Sequence, residues 1–123
     1  MRRLAVLALL VVAGCSIVTN GPDHFVLSEW AVEGPSRLVA ADAAALTIEN
    51  HGDFPHTLLV TSETGEVVGA TGVVEPGDMV TLAVDLDTGT YSFSCRIVTE
   101  DNEGNLSDHY ERGMFRTVVV ESG

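Results

Sequence analysis

The sequence contains no lysine, and its six basic residues are all arginines, set against 18 aspartates and glutamates. A surface this acidic repels the phosphates of nucleic acids and of anionic lipids, which excludes nucleic-acid binding as a function. The acidic residues are scattered along the whole chain instead of forming one run. This distribution fits either a docking surface for a basic protein or adaptation to a salty medium.

No apolar run is long enough to cross a bilayer, which takes about 20 residues as a helix. The longest run, residues 4–13, follows two arginines and leads into the sequence VAGC, which ends at Cys15. This pattern resembles the lipobox of bacterial and archaeal lipoproteins, whose cysteine becomes the lipidated first residue. We therefore predict a signal peptide over residues 1–15, lipid attachment at Cys15 and export to the outer face of the cytoplasmic membrane. An ordinary signal peptide or a Cys15–Cys95 disulfide is the alternative.

Repeats and low-complexity tracts are absent, so one domain is expected. Residues 16–23 are polar with a Gly-Pro break and predict a short tether to a domain over residues 24–123. Without the signal peptide, four arginines face 18 acidic residues, a formal net charge of −14. If Cys15 is lipidated, Cys95 is a lone thiol in an oxidising compartment. Metal ligation is one reason to keep such a thiol.

The domain shows the alternation that is typical of β-strands. The clearest two-residue period runs from Val80 through Leu82 and Val84 to Leu86. Strands are also predicted over residues 25–33, 45–50, 56–62, 66–70, 91–95 and 115–121. About seven short strands separated by turn residues predict an all-β antiparallel sandwich. The alanine-rich residues 36–46 would permit a helix, but a strand and turn are favoured.

Four potential metal ligands lie at or near the ends of the predicted strands. Cys95 ends one strand, on the face that it shares with Tyr91 and Phe93, and His56 begins another. If these strand ends meet at one pole of the sandwich, His109 and Met114 can converge on them. Each residue alone has an ordinary structural explanation. Together, two imidazoles, a thiolate and a thioether are the ligand set of a blue-copper site, which is trigonal with a weak axial sulfur.

Three stretches resemble the motifs of the cupredoxins, small blue copper proteins such as plastocyanin and halocyanin. ENHGDFPHTLLV resembles the family's first histidine motif and implies His56 as a ligand, and DTGTYSFSC resembles the strand that ends in the ligand cysteine, here Cys95. HYERGMFRTVVV is similar to the stretch that holds the second histidine and the axial methionine, here His109 and Met114. The resemblance implies a Greek-key sandwich that binds one type 1 copper ion and transfers single electrons.

The sequence departs from that family between the two later ligands. Thirteen residues, 96–108, separate Cys95 from His109, where cupredoxins have only a few. This insertion is expected either to bulge outward as a hairpin-like flap that returns His109 to the site or to spoil the geometry. In the first case, His109 is expected to give a solvent-edge route to a partner. Thr57 replaces the asparagine of plastocyanin-like members, so a hydrogen bond that braces the loop is expected to differ.

The remaining metal-binding candidates are weaker. His24 and His51 lack a motif and are predicted to lie on the surface, with His51 as the fallback ligand if His109 is kept away. The acidic stretch TEDNEGNLSD contains several oxygen ligands around a glycine, but its spacing does not fit the EF-hand order. It is therefore interpreted as a solvated loop.

The leading hypothesis is a monomeric, membrane-tethered electron carrier with a protein redox partner. An enzyme is not expected, since Arg96 follows the cysteine where multicopper oxidases place a histidine, and no oxyanion-hole signal accompanies Cys95. Two alternatives stay open. One is a copper-binding lipoprotein for storage or delivery, and the other is a metal-free sandwich that acts only in binding.

Overall fold

In the computed structural model, the described residues are 23–123, and they are folded into β-strands and turns without a helix. The strands are β1 (His24–Ser28), β2 (Ala31–Glu33), β3 (Arg37–Val39), β4 (Ala41–Asn50), β5 (Leu59–Ser62), β6 (Val67–Ala70), β7 (Met79–Leu86), β8 (Gly89–Ser94), β9 (Val98–Glu100), β10 (Leu106–Asp108) and β11 (Phe115–Glu121). No helix that could span a membrane occurs within residues 23–123. The predicted signal peptide, Cys15 and all but the last residue of the predicted tether lie outside the described residues.

Two main sheets enclose the core. One has the strand order β2-β1-β4-β7, the other has the order β3-β11-β8-β5-β6, and β9 and β10 form a separate two-stranded hairpin. Most pairs are antiparallel, but β1 with β4 and β3 with β11 are parallel. These parallel pairs arise because the chain passes from one sheet to the other between β2 and β3 and again between β3 and β4. The predicted all-β sandwich is confirmed, with mixed sheets.

The core lies between the inward faces of the two sheets. Phe25 of β1 and Phe93 of β8 are completely buried, and their ring centroids are 4.8 Å apart. On β7, Val84 and Leu86 are buried, as the two-residue period predicts. Burial of a large apolar side chain contributes about 1.5–3 kcal/mol, so these faces hold the sheets together. Cys95 continues the Phe93 face, which sets its thiol at one end of the core.

Two predicted strands differ in detail from the observed ones, whereas the alanine-rich segment is extended as favoured. The strand expected over residues 25–33 is divided into β1 and β2 by a turn at Glu29 and Trp30. The alanine-rich residues 36–46 form β3 and the first part of β4, as favoured over a helix. Residues 56–62 become a regular strand only at Leu59, and before it His56 pairs with Val74 in an isolated bridge.

Candidate metal centre

The loop between β4 and β5 positions His56. Asn50, buried at the end of β4, donates hydrogen bonds from Nδ2 to the carbonyls of Phe54 (2.9 Å) and Val74 (2.8 Å). Its Oδ1 accepts a hydrogen bond from the Gly52 amide at 2.7 Å. The amide and carbonyl of His56 bond the backbone of Val74. These bonds fix the loop, and the His56 side chain is completely buried.

Cys95 follows β8 and presents a free, buried thiol. Its amide donates to the carbonyl of Met114 at 3.0 Å. The amide nitrogen of Thr57 lies 3.4 Å from the sulfur, and the Thr57 hydroxyl oxygen lies 3.8 Å from it. The hydroxyl of Thr57 therefore offers the sulfur a second donor. Charge on a thiolate is stabilised by such donors.

The inserted residues 96–108 form the β9–β10 hairpin and return the chain to the site at His109. The His109 amide donates to the Ile97 carbonyl at 3.0 Å, and the His109 carbonyl accepts from the Met114 amide at 3.1 Å. The expectation of a hairpin-like flap is confirmed. The hydrogen bond between His109 and Ile97 closes the base of the hairpin and holds His109 at the site.

At the acidic tip of this hairpin, the carboxylate of Asp101 bonds the backbone of the turn. The Oδ1 atom of Asp101 accepts hydrogen bonds from the amides of Glu103 and Asn105, both at 2.9 Å. The pKa of Asp101 lies below its usual value, chiefly because of the Asn105 backbone and side-chain hydrogen bonds. Asp101 therefore stabilises the turn of the hairpin.

Three side-chain donors converge at one end of the core. The Nδ1 atoms of His56 and His109 lie 3.1 Å apart, and Sγ of Cys95 lies 3.9 Å from the first and 3.6 Å from the second. All three side chains are buried, and within residues 23–123 they are the only group of histidine, cysteine and acidic side chains with this spacing. Metal bonds of about 2.0–2.3 Å in a trigonal plane require donors about 3.5–3.8 Å apart. The cluster fits one metal ion after a small separation of the two imidazoles.

Met114 lies beside the cluster. Its side chain is completely buried just before β11, and its backbone bonds both His109 and Cys95. The structure thus brings together the four residues that the sequence singled out, three of them with their donor atoms facing one another. That they bind a metal, with Met114 as the axial ligand, stays a prediction.

Two outer contacts orient the imidazoles. Nε2 of His56 lies 3.2 Å from Oε1 of Glu29, and Nε2 of His109 lies 3.2 Å from Oγ1 of Thr99. With Nε2 occupied, each ring directs Nδ1 into the cluster, an arrangement that fixes the ring and its tautomer in metal sites. Sequence reasoning missed both residues. Glu29 lies in a turn 27 positions before His56 and shows no local signal.

A tryptophan covers the site. The ring of Trp30 meets the His109 ring edge-on at 4.8 Å and the His56 ring at 6.4 Å between centroids. Phe54 stacks on Trp30 at 6.0 Å, and the Arg112 guanidinium lies 4.8 Å from the centre of the indole. His109 is 0% exposed. The expectation that His109 gives a solvent-edge route is therefore wrong, because Trp30 and the inserted hairpin cover its ring.

The electrostatics of the cluster favour a thiolate. Burial alone would raise the pKa of Cys95, but hydrogen bonds with His56 and Thr57 bring it below its ordinary value. The pKa of His56 is raised, against the effect of burial, by Cys95 and by Glu29. Burial, followed by repulsion from His56, lowers the pKa of His109. Because the thiolate and the neutral imidazole are the forms that bind metals, the lowered pKa of Cys95 favours binding of an ion, whereas His56, whose pKa is raised, must lose its proton when the ion binds.

The other two histidines lie outside the cluster. Nε2 of His24 and Nε2 of His51 contact the two carboxylate oxygens of Glu49, at 2.8 Å and 3.1 Å. The side chain of His51 is 55% exposed, as predicted, whereas that of His24 is 17% exposed. Since His109 reaches the cluster, no fallback ligand is needed.

Comparison with known proteins finds no match among protein-family models and none among curated proteins. Solved structures do match. An azurin from Methylomonas sp. strain J shares 10% identity at a TM-score of 0.61, over 80% of this chain and 96% of its own. A cupredoxin from Nitrosopumilus maritimus shares 20% identity at 0.51, over 80% and 98%. Auracyanin A from Chloroflexus aurantiacus shares 12% identity at 0.54, over 80% and 96%. At these identities, the likeness shows a common fold.

Proposed function

We propose that this chain, which has the cupredoxin fold, holds one type 1 copper ion on His56, Cys95 and His109 and carries single electrons. The observation that carries the proposal is the convergence of two imidazole Nδ1 atoms and one thiol in a buried cluster. Auracyanin A, which shares the fold, is described as a "blue" copper protein. Met114, buried beside the cluster, supplies the weak axial sulfur in this proposal.

The donor set favours copper over zinc. A structural zinc site is closed by four nitrogen, sulfur or carboxylate ligands in a tetrahedron. Only three such side chains meet here in the described part of the chain, and the buried Met114, whose backbone bonds Cys95 and His109, offers a thioether as a further donor. Soft thiolate and thioether donors with two imidazoles suit copper.

The fold supports electron transfer better than catalysis. Copper supplies a one-electron Cu(II)/Cu(I) couple at such a site. The two sheets and the braced loops hold the imidazoles and the thiol in one arrangement, and their complete burial excludes water. A catalytic metal site keeps a position open for water or substrate. A closed site therefore favours an electron carrier over an enzyme.

We further propose that the chain is exported, is held at the outer face of the cytoplasmic membrane by a lipid on Cys15, and exchanges electrons as a monomer with a redox protein. The export and the lipid anchor are supported by the VAGC sequence, residues 12–15, at the end of the apolar run. Cell fractionation tests the anchor. The full chain is expected in the membrane fraction and the Cys15→Ala variant outside it, whereas equal membrane association of both would contradict the anchor.

One observation favours a second function, the storage or delivery of copper. The β9–β10 hairpin, which precedes His109, pairs with neither main sheet. Opening of this hairpin would break no strand pairing within either main sheet. A carrier of copper ions would release Cu(I) rapidly to a chelator, whereas an electron carrier would retain it through repeated oxidation and reduction.

Titration of the purified chain with Cu(II), followed by visible absorption and electron paramagnetic resonance, tests the copper proposal. We expect an intense thiolate-to-copper band that saturates at one ion per chain, is lost in Cys95→Ser and is lost or displaced in His109→Ala. His51→Ala is the matched control, because His51 contacts Glu49 outside the cluster, and it should retain the band. A wild-type chain that binds no copper, or a band that survives Cys95→Ser, would contradict the proposal.

A further inference from the structure

The carboxylate of Glu29 lies in a niche made by the loop that precedes His56. Its Oε1 accepts hydrogen bonds from the amides of Asp53 and Phe54, both at 2.9 Å, and its Oε2 lies 3.1 Å from the Asp53 amide. Two successive backbone amides that point at one carboxylate form an anion-binding concavity. Backbone amides of the loop therefore hold the negatively charged end of the Glu29 side chain in place.

Gly52 makes room for this carboxylate. A Cβ atom on Gly52 would lie 2.5 Å from Oε1 and 2.6 Å from Oε2 of Glu29, far inside van der Waals contact. Any other residue at position 52 would displace the carboxylate. Gly52, two positions after Asn50, thus leaves room for Glu29 and also lies in the bend of the loop.

From this niche the carboxylate reaches the back of His56. Oε1 of Glu29 lies 3.2 Å from Nε2, while Nδ1 of the same ring faces Cys95 and His109. His56 is fully buried and the Glu29 side chain is 21% exposed. An anion held this close, and partly shielded from water, stabilises additional positive charge on the site beyond the ring.

We propose that Glu29 is a positioning residue that holds the His56 ring with Nδ1 toward the ion and whose negative charge makes the site prefer Cu(II) over Cu(I). The inference rests on the proposed copper site. It assigns a separate role to a residue in the β1–β2 turn, which belongs to none of the three cupredoxin-like motifs. Carboxylate partners of ligand histidines raise ligand basicity, and their removal typically costs about 10–100-fold in metal affinity.

The test is the ratio of Cu(II) to Cu(I) affinity in Glu29→Gln, which keeps the shape of the side chain and removes its charge. We expect the visible band to persist and the ratio to fall by about tenfold, equivalent to a rise of about 59 mV in the one-electron reduction potential. Glu33→Gln is the matched control, because Glu33 is an exposed glutamate of β2 that loses the same charge away from His56. Its ratio should stay close to that of the wild type.

A second variant and a second readout distinguish a carboxylate held against His56 from a negative charge elsewhere on the protein. Gly52→Ala, which displaces the carboxylate without removing it, should lower the ratio in the same direction as Glu29→Gln. Nitrogen-15 NMR of the Cu(I) form should show a proton on Nε2 of His56 in the wild type. Equal ratios in Glu29→Gln and Glu33→Gln would overturn the role of Glu29 while leaving the copper site intact. A wild type without a visible band would instead overturn the proposed function.

Discussion

The hydroxyl oxygen of Thr99 lies 3.2 Å from Nε2 of His109. Thr99 belongs to β9, so the inserted hairpin contacts the back of the ligand ring that follows it in the chain. The same ring is covered on another side by Trp30. The insertion therefore forms part of the wall of the site, and the second histidine is enclosed where a solvent-exposed edge was expected.

Replacing Thr99 by alanine is expected to lower copper affinity by about 10–100-fold, because His109 loses the partner that fixes its orientation. Thr99→Ser keeps the hydroxyl and should restore most of the affinity. Competition with a chelator of known affinity measures both variants. Thr117→Ala, at an exposed position of β11, serves as the control. Wild-type affinity in Thr99→Ala would show that the hairpin contact does not orient His109.

Trp30 is the only tryptophan of the chain, so its fluorescence reports on the site alone. Its ring lies 4.8 Å from that of His109. We expect Cu(II) loading to quench the emission, because a coloured, paramagnetic ion this close accepts the excitation energy. Removal of the copper by a chelator should restore the emission. Unchanged emission in a chain that has bound one copper ion would place the ion elsewhere.

Asn50 is expected to contribute strongly to stability. Its buried amide bonds the carbonyls of Phe54 and Val74 and the amide of Gly52. Asn50→Ala should lower the free energy of unfolding by about 2–3 kcal/mol, because it leaves buried backbone groups without partners. Chemical denaturation measures the change. Asn102→Ala, in the exposed hairpin turn, should cost less than about 0.5 kcal/mol. Similar costs for both variants would contradict this role.

Glu49, which lies outside the metal cluster, is expected to make the stability of the fold depend on pH. The hydrogen bond from His51, and after it that from His24, holds the pKa of Glu49 below its usual value of 4.5. A carboxyl group whose pKa falls on folding stabilises the native state above its unfolded pKa and loses this contribution as the pH drops through the folded value. Glu49→Gln should therefore cost up to about 1 kcal/mol at about pH 6 and almost nothing at about pH 3.

The comparison of wild type and Glu49→Gln by thermal unfolding at the two pH values measures this effect. Glu66→Gln is a suitable control, since Glu66 is exposed. A cost of Glu49→Gln that is the same at both pH values would assign it to packing instead of charge.

Much of the fold could be predicted from local patterns. The alternation of buried and exposed side chains depends only on neighbours in the chain, and it correctly placed Val84, Leu86 and Phe93 inward. The parallel pairing of β1 with β4 could not be predicted in this way, because alternation is the same for either direction of a neighbouring strand. The break at Glu29 and Trp30 was missed, although the buried positions change phase across it, from Phe25 and Leu27 in β1 to Val32 in β2.

The candidate site was predictable in its inner residues and not in its outer ones. His56, Cys95, His109 and Met114 lie in recognisable stretches at the ends of strands. Glu29 contacts His56 across 27 positions, and Thr99 lies in an insertion without a familiar pattern. Such contacts depend on how loops pack in three dimensions, which no local period encodes. The same is true of the enclosure of His109.

A reversible redox titration of the copper-loaded chain, followed at the visible band, tests the central claim most directly. We predict that the band disappears on reduction and returns in full on oxidation, with a slope for one electron and one copper ion retained per chain. This result would show that the buried His56, Cys95 and His109 hold copper in both oxidation states. Absence of the band, or loss of the ion on reduction, would contradict an electron carrier.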